Sequence, residues 1–124
     1  ALVLGNGGAA KAVFYTLDKL GIPYKIVSRT AENGDLTYAE VTDSIIKSNT
    51  IIINCSPVGT YPNVDEAPAI PYHSIGKQHL LYDLIYNPEE TLFLRLGKEQ
   101  GAVTKNGLEM LVLQAEKNWE IWNQ

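Results

Sequence analysis

Between positions 5 and 10 the chain reads Gly5-Asn6-Gly7-Gly8-Ala9-Ala10, a G-x-G-x-x-A pattern with one further glycine. Each small residue has its own physical use. Gly5 permits a tight turn, and Gly7 lets the main chain approach a ligand with no Cβ in the way. Ala10 is small enough for a helix to pack closely on a strand. Between a strand and a helix, such a turn leaves N–H groups and the positive end of the helix dipole facing outward, toward phosphate oxygens. A glycine triplet also serves many purely structural turns, so the flanking elements decide. With a strand before it and a helix after it, the pattern points to a dinucleotide pyrophosphate held at Gly5, Asn6, Gly7, Gly8 and Ala9.

A second constellation lies at Val27-Ser28-Arg29-Thr30, at the end of the next apolar run. Dinucleotide sites that prefer NAD place a carboxylate here to accept from the ribose 2′-OH. This chain has an arginine and no carboxylate. A guanidinium pairs with a 2′-phosphate and stacks on adenine, whereas a carboxylate repels that phosphate. Ser28, Arg29 and Thr30 therefore favour NADP; the alternative is a solvated surface arginine.

Other reactive residue types have weaker contexts. Asp83 stands at a strand end, where a carboxylate more often caps a loop or helix than acts as an acid. Glu89 and Glu90 follow Pro88, in what reads as the first turn of a helix. His73 and His79 lack Cys, Asp or Glu at metal-ligand spacing, so no metal site is expected. Cys55 follows a buried strand and reads as a small hydrophobe rather than a reactive thiolate. Ser56 lacks a G-x-S-x-G context, which argues against a hydrolase. Lys11 falls near the expected pyrophosphate but also suits a solvated first turn. No residue in the chain is assigned a catalytic role.

These residues need a scaffold of alternating elements. Residues 1–4 form an apolar strand, and residues 8–20 follow at helical spacing through Ala9, Ala12, Val13, Leu17 and Leu20. Gly21 suits the helix C-cap, and Pro23 blocks continuation. Strands are predicted at 24–27, 36–38, 51–54, 79–84 and 102–104. Helices are predicted at 40–48, 88–100 and 107–122, with Gly101 ending the second. The prolines at 57, 62, 68 and 71 make residues 57–79 mostly loop. In the last helix Leu108, Leu111, Ala115, Trp119 and Trp122 form a core stripe. Gly107, Met110 and Gln114 form a second stripe, on which the glutamine is available to a ligand. Alternating strands and helices imply an α/β fold: a Rossmann-like, doubly wound parallel sheet in a single domain over residues 1–124.

The composition agrees. The chain has 124 residues, 45% hydrophobic and 19% charged, which suits one globular domain. Ten basic and fourteen acidic residues give a net charge of −4, unfavourable for binding nucleic acid or an anionic membrane. A single cysteine excludes an internal disulfide framework. No apolar run is long enough for a transmembrane helix, no signal peptide is recognisable, and a cytoplasmic location is expected. The abrupt opening on a strand reads as a piece of a longer polypeptide.

With these motifs in place, the chain resembles the cofactor-binding domain of shikimate dehydrogenase along nearly its whole length. Gly5–Ala9 is similar to the family's G-A-G-G-A loop, and Ser28-Arg29-Thr30 to its N-R-T. Asn54-Cys55-Ser56-Pro57-Val58-Gly59 is similar to N-A-T-P-x-G. Asp83-Leu84-Ile85-Tyr86-Asn87-Pro88 is similar to D-x-x-Y-x-P. Asn106-Gly107-Leu108-Glu109-Met110-Leu111 with Gln114-Ala115 resembles G-L-G-M-L…Q-A. Five motifs in the family's order are more specific than the glycine loop alone.

The resemblance implies NADP-dependent interconversion of 3-dehydroshikimate and shikimate, an oxidoreductase step of aromatic amino-acid biosynthesis. It implies that Leu84 and Gly107 lie near the nicotinamide, and that Tyr86 and Gln114 touch the substrate. The family's catalytic lysine and aspartate belong to motifs upstream of the glycine loop, so this chain alone is expected to be inactive. Three departures matter: Asn33 stands where the family has a second basic residue, Ser28 replaces an asparagine, and Glu109 replaces a glycine. A dehydrogenase acting on quinate is the nearest enzymatic alternative, and a non-catalytic NADP-binding sensor module is another.

Overall fold

The computed structural model of the chain describes residues 1–85 and 88–107. Its strands are β1 (Leu2–Leu4), β2 (Lys25–Ser28), β3 (Leu36–Thr37), β4 (Ile51–Asn54), β5 (Leu80–Asp83) and β6 (Val103–Asn106). The helices are α1 (Gly8–Leu20), α2 (Asp43–Ser48) and α3 (Leu92–Glu99). Among the described residues there are also 3-10 turns at Ala31–Asn33, Tyr38–Glu40 and Tyr72–Ser74.

All six strands are parallel, in the order β3-β2-β1-β4-β5-β6. The chain winds outward from β1 to β3, then returns across the sheet to place β4 on the other side of β1. That reversal opens a crevice at the carboxyl ends of β1 and β4, where ligands of such sheets bind. The Rossmann-like sheet expected from the sequence is therefore present.

Strand periodicity explains the layers. Leu2, Leu4, Ile52 and Leu81 face one side, in a core with Val27, Ile46, Phe93 and Leu94. Val3, Ile53 and Tyr82 face the other side, against Ala10, Val13 and Leu17 of α1. Both faces are covered, which is why β1, β4 and β5 carry apolar residues at consecutive rather than alternate positions, up to the polar Asn54 and Asp83 at their ends. Ala10 is fully buried, as its place in the glycine motif requires. Helix α1 ends as predicted at Gly21, whose φ of 70° is left-handed. The Ile22 N–H donates to the Leu17 carbonyl (3.0 Å) and the Gly21 N–H to that of Asp18 (3.2 Å), a Schellman motif.

Several boundaries differ from the sequence reading. The helix predicted at 40–48 is two pieces. Glu40 accepts from the Thr37 N–H (2.9 Å) and hydroxyl (3.0 Å), which closes a 3-10 turn. Thr42 then starts α2, its hydroxyl accepting from the Ile45 N–H. The helix predicted from Pro88 begins only at Leu92, because buried Thr91 caps it through the Leu94 N–H. Glu89 and Glu90 therefore precede the helix instead of forming its first turn. Glu90 instead meets Lys98 at 3.7 Å on the surface. The last strand runs to Asn106 because β6 pairs with β5 along its whole length. The core stripe of Leu108, Leu111, Ala115, Trp119 and Trp122, and Glu109 and Met110, lie outside the described residues.

Candidate functional site

The glycine turn leaves the sheet at the crevice. Beyond β1 the ladder continues for one step on each side: the Gly5 N–H donates to Val27 (2.8 Å) and the Cys55 N–H to Leu4 (2.8 Å). Gly5 has a φ of 107°, and a Cβ there would stand 3.1 Å from the Ser56 nitrogen. Both conformation and space demand glycine. At Gly7 and Gly8 a Cβ would meet nothing within 4 Å, so these glycines border open space. Gly7 is the N-cap of α1; it brings no capping side chain, and the first turn holds no acidic residue. The first amides of α1, at Gly8 and Ala9, are left for an anion.

The loop after β2 closes against this turn. The Asn6 side-chain amide donates to the Asn33 carbonyl, and the Asn33 amide donates to the Thr30 hydroxyl (2.9 Å). The Ser28 hydroxyl accepts from the Thr30 N–H at 3.4 Å. Arg29 is exposed, and among the described residues no carboxylate pairs with it. Gly5, Asn6, Gly7, Ser28, Arg29 and Thr30 line a single cleft of about 740 Å³. Gly8 and Ala9 are not among the lining residues; both are exposed on the first turn of α1.

The cleft has walls that the sequence reading left out: Tyr38, the Ser56-Pro57-Val58 turn, and Ala67-Pro68-Ala69. Tyr38 is half-buried, and burial pushes its phenol pKa upward. Its signal in the sequence was its place as the last residue of the strand predicted at 36–38, which in the structure ends at Thr37. The 67–69 segment comes from the proline-rich loop and carried no such signal.

Leu84 and Gly107 do not line that cleft but meet each other at the ends of β5 and β6. A Cβ on Gly107 would lie 2.1 Å from the Leu84 carbonyl oxygen, so the chains approach as closely as glycine allows. Tyr86 and Gln114, the expected substrate residues, lie outside the described residues.

The remaining polar candidates have structural roles. Asp83 is fully buried; desolvation pushes its pKa up, opposed by hydrogen bonds from Thr91, Ile85 and Asn54. The Thr91 hydroxyl reaches it at 2.7 Å and the Ile85 N–H at 3.0 Å, which makes Asp83 the cap of its own loop. The Cys55 thiol is pushed up to about 12, first by burial and then by the charge of Asp83, so it stays protonated. His79 is buried, accepting at Nδ1 from the Gly76 N–H (3.0 Å) and donating from Nε2 to the Ile46 carbonyl (2.7 Å). His73 pairs with Asp43 at 2.9 Å on the surface. Among the described residues no cluster of His, Cys, Asp or Glu could hold a metal. No helix among them is long and apolar enough to cross a membrane.

The strand order, the reversal at β1 and the open glycine turn define an α/β domain of the Rossmann class. Comparison with known proteins narrows this. The chain is 38% identical, over 98% of its length, to the NADP(+) shikimate dehydrogenase of Methanococcus aeolicus, of which it covers 48%. It is 30% identical to the Thermus thermophilus shikimate 5-dehydrogenase solved with NADP(H) and shikimate. That match has a TM-score of 0.74 and covers 98% of this chain and 48% of the other. A 5-ketofructose reductase from Gluconobacter superposes with a TM-score of 0.77 at 32% identity, covering 98% of this chain and 49% of the reductase. No family model matches the chain. The likeness to shikimate dehydrogenase carried by the five motifs thus extends along the chain, which spans about half the length of the curated relatives it matches.

Proposed function

We propose that this chain is the NADP-binding portion of a shikimate dehydrogenase, which reversibly reduces 3-dehydroshikimate to shikimate. One observation carries the reading: an uncapped helix N-terminus behind a glycine turn and an arginine that no carboxylate among the described residues pairs with open into the same cleft. The first amides of α1 take the pyrophosphate, and Arg29 takes the 2′-phosphate. The close approach of Gly107 to Leu84 shapes the floor for the nicotinamide, and the resemblance assigns Tyr86 and Gln114 to the substrate. The bound cofactor supplies the hydride; this chain binds and orients it.

The lysine and aspartate that move the proton in this family are assigned to the other half of the enzyme, so this portion alone is inactive. The substrate is chosen chiefly in that half too. A 5-ketofructose reductase shares this portion's fold and a third of its sequence, which fits a cofactor module serving several hydroxyl-bearing substrates, quinate among them. A redox-sensing module without catalysis remains the reading if upstream sequence lacks the lysine and aspartate. The lone cysteine, held as a thiol, suits the reducing cytoplasm.

The test is a thermal-shift titration of the chain with NADP and with NAD. Ligand at a hundred times its Kd stabilises by about 2.7 kcal/mol. NADP is expected to give the larger shift, and Arg29→Ala to weaken NADP about tenfold while leaving NAD unchanged. No shift with either cofactor overturns the proposal. Equal shifts that Arg29→Ala does not alter overturn the role of Arg29.

A further inference from the structure

Asn54 and Asp83 are buried side chains outside the cleft whose hydrogen bonds lead to one of its walls. Asn54 ends β4 and Asp83 ends β5, directly opposite in the parallel register, and both are fully buried. An ionised carboxylate only accepts hydrogen bonds. Donors converge on Asp83 from the Thr91 hydroxyl, from the Ile85 N–H, and from Asn54 Nδ2, 3.3 Å from each carboxylate oxygen. On its other side Asn54 faces the main-chain N–H of Ser56, which only donates. A single orientation of the Asn54 amide satisfies both neighbours, with nitrogen toward Asp83 and oxygen toward Ser56.

That orientation builds the turn. Asn54 Oδ1 accepts from the Ser56 N–H (3.1 Å) and from the Ser56 hydroxyl (2.6 Å), and Nδ2 reaches the Val58 carbonyl at 3.4 Å. The Ser56 oxygen in turn accepts from the Val58 N–H at 3.4 Å. Ser56, Pro57 and Val58 form one wall of the cleft, and Gly5 of the opposite turn packs against the Ser56 main chain. Asp83 itself is not among the residues that line the cleft.

We propose that Asp83 is a positioning residue: by accepting from Asn54 it fixes which end of that amide faces the 55–58 turn, and thereby holds the cleft wall in shape for a dinucleotide. The functional part of this proposal rests on the dinucleotide reading of the cleft. Asp83→Asn brings in a second amide, whose nitrogen competes for the same acceptors. Asn54 then gains a second orientation, in which its nitrogen meets the Ser56 N–H donor to donor. Exchanging the pair, Asn54→Asp with Asp83→Asn, keeps one carboxylate and one amide. It restores an acceptor in front of Ser56 and a donor between the two side chains.

The test compares the unchanged chain, Asp83→Asn and the exchanged pair by two readouts. One is the Kd for NADP. The other is amide hydrogen exchange at Ser56 relative to Cys55, whose N–H bonds to the Leu4 carbonyl. General destabilisation speeds both amides together; misorientation of Asn54 speeds Ser56 selectively. Asp83→Asn is expected to speed Ser56 selectively and to weaken NADP about tenfold. The exchanged pair is expected to recover the Ser56 protection, and the affinity only in part, because its amide has one oxygen for Ile85 and Thr91 and its carboxylate meets the Val58 carbonyl. A single variant that changes neither readout, or that speeds Ser56 and Cys55 alike, overturns the proposal. If Asp83→Asn does not fold, the exchanged pair decides by the same ratio: a protected Ser56 supports the proposal, and a Ser56 that exchanges selectively faster overturns it. If the unchanged chain binds no dinucleotide, the function reading fails, while the Ser56 exchange ratio still decides the role of Asp83.

Discussion

At the scale of single residues, glycines carry much of the local design, each for its own reason. Gly5 answers both a left-handed backbone and the Ser56 main chain, whereas Gly7 and Gly8 border open space. Gly107 answers a close approach alone. Its absent Cβ would overlap the Leu84 carbonyl, so Gly107→Ala must push the two segments apart. Overpacking of this kind costs about 1–3 kcal/mol. Gly107→Ala is therefore expected to lower the melting temperature of the chain, and, if Leu84 and Gly107 serve the nicotinamide, to weaken the reduced cofactor as well. A melting temperature equal to that of the unchanged chain would show that the segments part freely. The glycine turn and Arg29 were legible in the sequence because their signals are local: small residues at fixed spacing, and a cation where a carboxylate is usual. The apposition of Leu84 and Gly107 was not, because it joins two strand ends more than twenty positions apart.

At the scale of elements, hydroxyl and carboxylate caps moved boundaries that apolar spacing alone had set. Val41, Ile45 and Ile46 fit one helical face, yet Thr37 with Glu40 and then Thr42 divide the segment into a 3-10 turn and α2. The same competition shifts α3, where Thr91 caps the helix because Asp83 holds its hydroxyl. Glu40 gives this a measurable pH dependence. Hydrogen bonds from the Thr37 N–H and then its hydroxyl hold the Glu40 carboxyl below its ordinary value of 4.5. A folded-state pKa below the unfolded one makes the contribution full above the ordinary value and lost as pH falls through the lowered one. Denaturant melts between pH 6 and pH 3 are expected to show a smaller acid loss of stability for Glu40→Gln than for the unchanged chain. Identical acid slopes would remove Glu40 from the account.

At the scale of the whole molecule, the cleft and the buried His79 lie at opposite ends of the sheet. The cleft lies at the carboxyl ends of β1, β2 and β4, whereas His79 sits just before β5, at the amino end. There it joins the Gly76 turn to the Ile46 carbonyl in α2. His79→Leu preserves much of the volume but leaves the half-buried Gly76 N–H unmatched and removes one of the two donors to the Ile46 carbonyl, which keeps the Asn49 N–H, at a cost of about 1–2 kcal/mol. It is expected to lower stability by that order and, measured well below the melting transition, to leave NADP affinity unchanged; a loss of affinity there would mean that the two ends are coupled. The sequence by itself determined the strand–helix alternation, the parallel sheet and the glycine turn between β1 and α1, because periodicity, glycine spacing and breakers act within a few residues. Only the tertiary structure decided the strand order around β1, the additional cleft walls at Tyr38 and residues 67–69, and the Asn54–Asp83 pair. Those depend on which strands become neighbours, and that choice is made by burying both faces of the sheet at once rather than by any local preference.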